Sequence, residues 1–469
     1  MRLSIPLALA LVALAANAAV PLAAPRPKQP APPPRAVTAP TSAITAATFP
    51  IAKHQLANGL TILTHEDHSV PTVTFWQWFK VGSRNEQPGI TGISHFFEHM
   101  MFNGSKNVAP KEYDRILESN GGYSNAFTSN DQTAYYEDIA SDRVGVLFEL
   151  DSDRMASLSL LPDQLKSEIE VVKEERRLRT DNSIPGMLDE QLYATAFVAG
   201  PYGWPVIGWM KDLERITRED CVEYFRTYYA PNNCILVVAG HFDTKTVLAQ
   251  IEKAFGSIPA QKPPAEPFDS EPEQRGERRV NVLYPAEAES FQIGYKAPGV
   301  RGDDVWVLDV ISTILSRGES SRLHEALVVD QQIALDASSY FGTRLNPGLF
   351  EFAVEMRPGK TAADGERALQ AVLDKFVKDG PTDRELQKAK NILEARFVKG
   401  LKTNNGVGEA IAFAEHVLGD YKRMYETPER YRRVTAADVK RVAKEVFVST
   451  RRTVAVLVPE SREGAGGTP

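Results

Sequence analysis

From about residue 50 the chain switches repeatedly between two hydrophobic periodicities. "GLTILTHE" (59–66) and "TVTFWQWFKVGS" (72–83) are rich in β-branched and aromatic residues and are bounded by Asn-Gly and Gly-Ser turn signals, which predicts strands. "GISHFFEHMMF" (92–102) and "PKEYDRILESNG" (110–121) carry apolar positions at helical spacing, the second stopping at Asn120–Gly121 as a helix C-terminus does. "SNAFTSNDQTAYYEDIA" (124–140) predicts a pair of strands, and 142–156 and 161–180 predict two further helices.

The pattern then repeats. "ITREDCVEYFRTYYAPNNCILVVAG" (216–240) and "VTAADVKRVAKEVFVSTRRTVAVLV" (434–458) both run Thr, Asp three positions later, amphipathic helix, polar turn, apolar strand. "FWQWFKVGSRNEQPGITGISHFFEHMMF" (75–102) has its counterpart in "SFQIGYKAPGVRGDDVWVLDVISTIL" (290–315). The expected fold is therefore α+β: two homologous domains, each a mainly antiparallel sheet with helices packed on it. The domains are expected at 49–258 and 280–460, joined by a polar, Pro-rich connector over 259–279 and followed by a disordered tail, 461–469. One contrast matters: where the first copy has HFFEH, the second has an aliphatic helix around "WVLDVISTIL".

Composition refines this picture at the edges. Of 469 residues, 43% are hydrophobic and 25% charged, as in soluble globular proteins, and the net charge of −7 offers no basic excess for nucleic acid. Residues 1–18, with Arg2, an apolar run and Ala16-Asn17-Ala18, predict a cleaved secretory signal, and no later segment is long enough to span a bilayer. A Pro/Ala-rich linker is expected over 19–48. This leader points to the periplasm, with secretion as the alternative and no stable membrane insertion. Cys221 falls in a helical pattern and Cys234 in an apolar strand, so two buried free thiols are expected rather than a disulfide.

The candidate chemistry lies at 95–99. On a helix, residues four apart share a face, so His95 and His99 can turn ring nitrogens to one ion. Zinc accepts histidine and carboxylate ligands, and a catalytic zinc takes three of them and a water. Glu98 then lies near that water as a general base. The third ligand is open on spacing alone: Glu168, Glu170, Glu174 and Glu175 all lie on the second helix, with Glu168 and Glu175 two turns apart on one face.

HFFEH, followed 76 positions after His99 by the end of EIEVVKEE, resembles the inverted-zincin peptidases of the pitrilysin, insulinase and mitochondrial processing peptidase family. The resemblance implies His95, His99 and Glu175 as the ligands of one zinc per chain, and Glu168 as an accessory group behind them. It covers roughly residues 50–460. "GGYSNAFTSNDQTAYYE" (121–137) is similar to the family strand whose edge pairs with substrate, with Asn125 and Ala126 at the contacting positions. "GPYGWPVIGWMKDLERITREDCVEYFRTYYAPNNCILVVAGHFD" (200–243) is similar to another family block, with Gly200 where many relatives have histidine.

One departure stands out. Many members carry an arginine and a tyrosine, seven apart, in the C-terminal half; counted from Ser321-Arg322-Leu323, those positions are Val328 and Leu335, and Tyr340 is out of register. The expected function is an exported zinc metalloendopeptidase cleaving extended peptides, with a homologous zinc-free partner subunit supplying the missing pair in a heterodimer. A homodimer that holds the oxyanion differently is the alternative for assembly. A non-catalytic scaffold or binding subunit is the alternative for function.

Overall fold

Eleven strands form two sheets in a computed structural model that describes residues 49–267 and 271–460. The expected signal peptide, the linker over 19–48 and the tail 461–469 lie outside the described residues. The first sheet comprises β1 (Ala52–Gln55), β2 (Thr61–Glu66), β3 (Thr72–Phe79), β4 (Tyr123–Thr128), β5 (Thr133–Ala140) and β6 (Cys234–Gly240), in the order β1-β2-β6-β3-β5-β4. The second comprises β7 (Arg278–Tyr284), β8 (Ser290–Ala297), β9 (Ala334–Phe341), β10 (Gly348–Met356) and β11 (Arg452–Pro459), in the order β7-β11-β8-β10-β9.

With β1 set aside, the two orders are the same. In each sheet the first and last strands of the repeat pair in parallel, β2 with β6 and β7 with β11, while the other pairings are antiparallel. The duplication read from the text is thus a duplication of topology. Helices Arg218–Tyr228 and Ala436–Val446 open on matching capping boxes, Thr217 with Asp220 and Thr435 with Asp438. Each box satisfies helix N–H groups that have no partner within their own helix.

Beyond Thr72 both faces of β3 are buried, which is why Val73, Phe75, Trp76, Trp78 and Phe79 do not alternate with exposed polar residues. Phe75 and Phe79 enter a core with Phe96, Phe97, Phe148 and Phe255. Trp76 and Trp78 point the other way, and there the packing crosses between the two halves. They pack with Val407, Ile411, Ala412 and Ala414 from the helix Asn404–His416, far along the sequence. The loan is returned: helix Ile184–Ala196 lays Leu188, Leu192, Tyr193 and Ala196 against Leu349, Ala455 and Leu457 of the second sheet. Each sheet is therefore closed by a helix belonging, in sequence, to the other half.

Cys221 and Cys234 are buried and unbridged, as their apolar neighbours implied. Among the described residues no helix is long and apolar enough to cross a membrane. The helix exchange is tight at Gly408, where an added Cβ would sit 2.4 Å from Trp76 Cδ1. Gly408→Val should cost about 1–3 kcal/mol by overpacking. A lower urea midpoint is the measurable consequence, and an unchanged midpoint would show that this contact is loose.

Candidate metal centre

Helix Ile93–Met100 starts at an awkward place. Gly92 has φ 87° and offers no side chain for a cap, so the exposed N–H groups need another acceptor. Glu86 supplies it: its buried carboxylate accepts from Gly92 N and Ser94 N, each at 2.8 Å. Burial pushes the Glu86 carboxyl up to about 8, against the pull of those N–H groups. Gly208, at φ 84°, presses on the same turn; a Cβ there would meet Thr91 O at 2.3 Å. Asp212 fixes the turn by accepting from Gly89 N, Thr91 N and Thr91 Oγ1. Within the Gly200–Asp243 block, Gly208 and Asp212 thus seat the histidine helix.

The second helix, Pro162–Arg176, is anchored by the buried Val172, with Leu165 and Ile169 packed on the same core. At its end Arg176 Nη1 donates to Glu190 Oε2 at 2.7 Å and to Gly208 O at 2.8 Å. One guanidinium thus links the carboxylate helix to the turn that starts the histidine helix.

These anchors bring three predicted residues together. His95 Nε2 lies 3.6 Å from Glu175 Oε2, and His99 Nε2 lies 3.2 Å from the same oxygen. The ligand atoms of His95, His99 and Glu175 all fall within 4.8 Å of one another. Four donors about 2.0–2.1 Å from a tetrahedral zinc are spaced roughly 3.4 Å apart, so the two measured separations fit that ion. Glu168 accepts a hydrogen bond from His99 Nδ1 at 2.8 Å, which fixes the tautomer and leaves Nε2 facing Glu175. Glu170 instead pairs with Lys173 and Glu174 with Arg177, on the outer side of the helix.

The electrostatics follow from these contacts. Burial, then repulsion from His99, lowers the His95 pKa to about 4. Burial opposes protonation of His99 too, but hydrogen bonds to Glu168 and Glu175 prevail and raise it to about 9. The hydrogen bond from His99 lowers the carboxyl pKa of both Glu168 and Glu175. Glu98, whose Oε2 is 4.0 Å from His95 Nε2, is held above the usual carboxylate range by burial, while a bond from Thr128 works against that rise.

Three contributors were not read from the sequence. Thr128 Oγ1 donates to Glu98 Oε2 at 2.7 Å, Asn103 Nδ2 to Glu168 Oε2 at 2.9 Å, and Arg179 Nη1 lies 2.8 Å from Glu175 Oε1. Arg179 was within reach of a sequence argument, being four residues after Glu175 on one helical face. Thr128 and Asn103 had no such signal. Asn125 and Ala126 lie on β4, the outermost strand of its sheet. The Ala126 N–H is taken by Asn125 Oδ1 at 2.8 Å, so it faces away from β5 and toward the open edge. Val328, Leu335 and Tyr340 lie in the second half; Leu335 and Tyr340 are on β9, the corresponding edge, and no ion pair or hydrogen bond joins them to the cluster.

Comparison with known proteins agrees with this architecture. The profile of the insulinase family, peptidase family M16, matches residues 61–208, and that of the peptidase M16 inactive domain matches 215–393. A zinc protease of Helicobacter pylori, PqqE, is 33% identical over 417 residues, 87% of this chain and 94% of that one. An uncharacterized zinc protease of Streptomyces coelicolor is 27% identical over 87% of this chain and 90% of its own length. The crystal structure of a protease from Helicobacter pylori superposes with a TM-score of 0.85 at 32% identity, covering 88% of this chain and all of that chain. The periplasmic protease PqqL of Escherichia coli shares the fold at a TM-score of 0.72 and 18% identity, over 87% of this chain and 48% of its own.

Two measurements probe the cluster. Glu168→Ala should weaken zinc binding about 10–100-fold in a chelator competition, because His99 loses the carboxylate that orients it. Zinc held by these residues would have to displace the His99 proton below pH about 9. Apparent affinity should then climb about tenfold per pH unit between pH 6.5 and 8.5, and a flat profile would contradict this protonation scheme.

Proposed function

This chain belongs to the insulinase (M16) family of peptidases, and from that premise we propose that it is an exported zinc metalloendopeptidase acting on extended peptides. The observation that carries the reading is the convergence of His95 Nε2 and His99 Nε2 on Glu175 Oε2. These three residues would hold the metal, with Glu168 behind His99. Zinc, when bound, lowers the pKa of a coordinated water and polarises the scissile carbonyl.

The remaining work belongs to side chains and backbone of this chain. Glu98 takes the proton of the attacking water and passes it to the departing amine, a role its raised carboxyl pKa suits. The open edge of β4 accepts the peptide as an added strand, in which main-chain hydrogen bonds give affinity with little demand on sequence. For this the Ala126 N–H must exchange Asn125 Oδ1 for a substrate carbonyl. Pairing of this kind requires an extended segment, so the substrates are unfolded peptides or small proteins.

Val328 and Leu335 occupy the positions where an arginine and a tyrosine are expected, and neither can donate a side-chain hydrogen bond. We therefore assign the missing pair to a homologous zinc-free subunit in a heterodimer. A fully active preparation containing this chain alone, as a monomer or homodimer, would dispose of that partner. Residues 1–18 support export, with the periplasm as the site of action.

Glu98→Gln should retain zinc and lose peptide hydrolysis by at least about 100-fold. A scaffold would have no zinc-dependent cleavage to lose, whereas undiminished hydrolysis by that variant would remove Glu98 as the base. Chelation should abolish cleavage and added zinc restore it. Ala126→Pro, which removes an edge N–H, should raise KM on long peptides while leaving zinc content unchanged.

A further inference from the structure

Within the proposed peptidase site one residue touches both the general base and the strand that substrate would join. Thr128 is the last residue of β4, and its hydroxyl donates to Glu98 Oε2 at 2.7 Å. Among the described residues no other side chain donates a hydrogen bond to Glu98. The carboxylate is largely buried, with its side chain 18% exposed, so the direction of its lone pairs depends on that donor.

The main chain of Thr128 looks the other way. The Ala126 N–H faces the open edge, where Asn125 Oδ1 takes it, and along a strand the outward groups recur every second residue. Thr128 therefore shares the outward parity of Ala126. The next residue confirms the alternation, since Ser129 N donates inward to Gln132 O at 2.8 Å. A peptide added along β4 would hydrogen-bond to the backbone of Thr128, at a strand end that otherwise has no outer neighbour. Threonine is branched at Cβ, so χ1 is stiff and the hydroxyl direction follows the backbone.

From this geometry we infer that Thr128 is a positioning residue that ties the orientation of Glu98 to the strand the substrate joins. Pairing along β4 fixes the Thr128 backbone, the stiff side chain carries that constraint to its hydroxyl, and the hydroxyl aims the carboxylate. The inference rests on the peptidase reading above, and the test separates the two.

Thr128→Val keeps the branched shape and removes the donor, Thr128→Ala removes both, and Thr128→Ser keeps the donor. Each is compared with wild type and Glu98→Gln in the full chain, with its partner if one co-purifies, for kcat, KM, zinc content and melting midpoint. Thr128→Val should lower kcat roughly tenfold, the scale of one hydrogen bond to a charged group, with KM within about twofold. Zinc content and midpoint should be unchanged, and Thr128→Ser, which keeps the donor but loses the branch, should recover part of the rate. If Thr128→Val proves unstable, Thr128→Ala carries the same comparison. Wild-type kcat in the donorless variants while Glu98→Gln is inactive would overturn the inference and leave the peptidase intact. A kcat in Thr128→Ser no higher than in Thr128→Ala would also overturn it, and full cleavage by Glu98→Gln would remove Glu98 as the base on which it rests.

Discussion

Two helices that meet at a fixed angle and depth are the constraint on which everything else depends. Two imidazoles four residues apart can always face one way, but a shared ion also needs a carboxylate brought in from another element. That demand is met by anchors away from the ligands. Glu86 and Asp212 seat the start of the histidine helix, while Arg176 bridges its turn to the end of the carboxylate helix. Buried Val172 sets the depth of the second helix, and the His99–Glu168 hydrogen bond locks the remaining rotation. A carboxylate displaced by a single helical position would point about 100° away.

A second network stiffens the same half from beneath. Arg154, wholly buried, pairs with Glu137 on β5 and with Asp151 on its own helix. The Tyr113 hydroxyl lies 2.9 Å from an oxygen of each carboxylate and donates its one proton between them, and the guanidinium lies over the rings of Tyr113 and Tyr135. Burial and the neighbouring Asp151 raise the Glu137 pKa, against the pull of Arg154. Such a network contributes little net stability compared with an apolar core, but it allows few alternative packings. It joins β5, and through β5 the edge strand β4, to the helices behind the sheet.

Duplication explains how one chain holds both a reactive half and a supporting one. The sheets share one strand order, yet the helix corresponding to HFFEH carries Val305, Val307, Leu308, Val310 and Ile311, all buried. What the second half gives is the helix Asn404–His416 behind Trp76 and Trp78, and in exchange it receives Ile184–Ala196. Neither sheet can bury both faces without the other half, so the site-bearing domain depends on residues about 300 positions away.

Periodicity, turn residues and internal likeness determined the strands, the helices around them, the twofold repeat and the pairing of His95 with His99 on one face. These are local properties, and a period of two or 3.6 is written into any short stretch that has it. The sequence left four glutamates open as third ligand; resemblance selected Glu175. The tertiary packing shows why that residue differs: Val172 and Arg176 turn Glu175 toward the Nε2 atoms and Glu168 toward Nδ1, leaving Glu170 and Glu174 outside. Thr128, Asn103, the Glu86 cap and the exchanged helices were illegible for the same reason. An amphipathic pattern states that a face will be buried, whereas the partner of that face, or of a lone hydroxyl at a strand end, exists only once distant segments have packed.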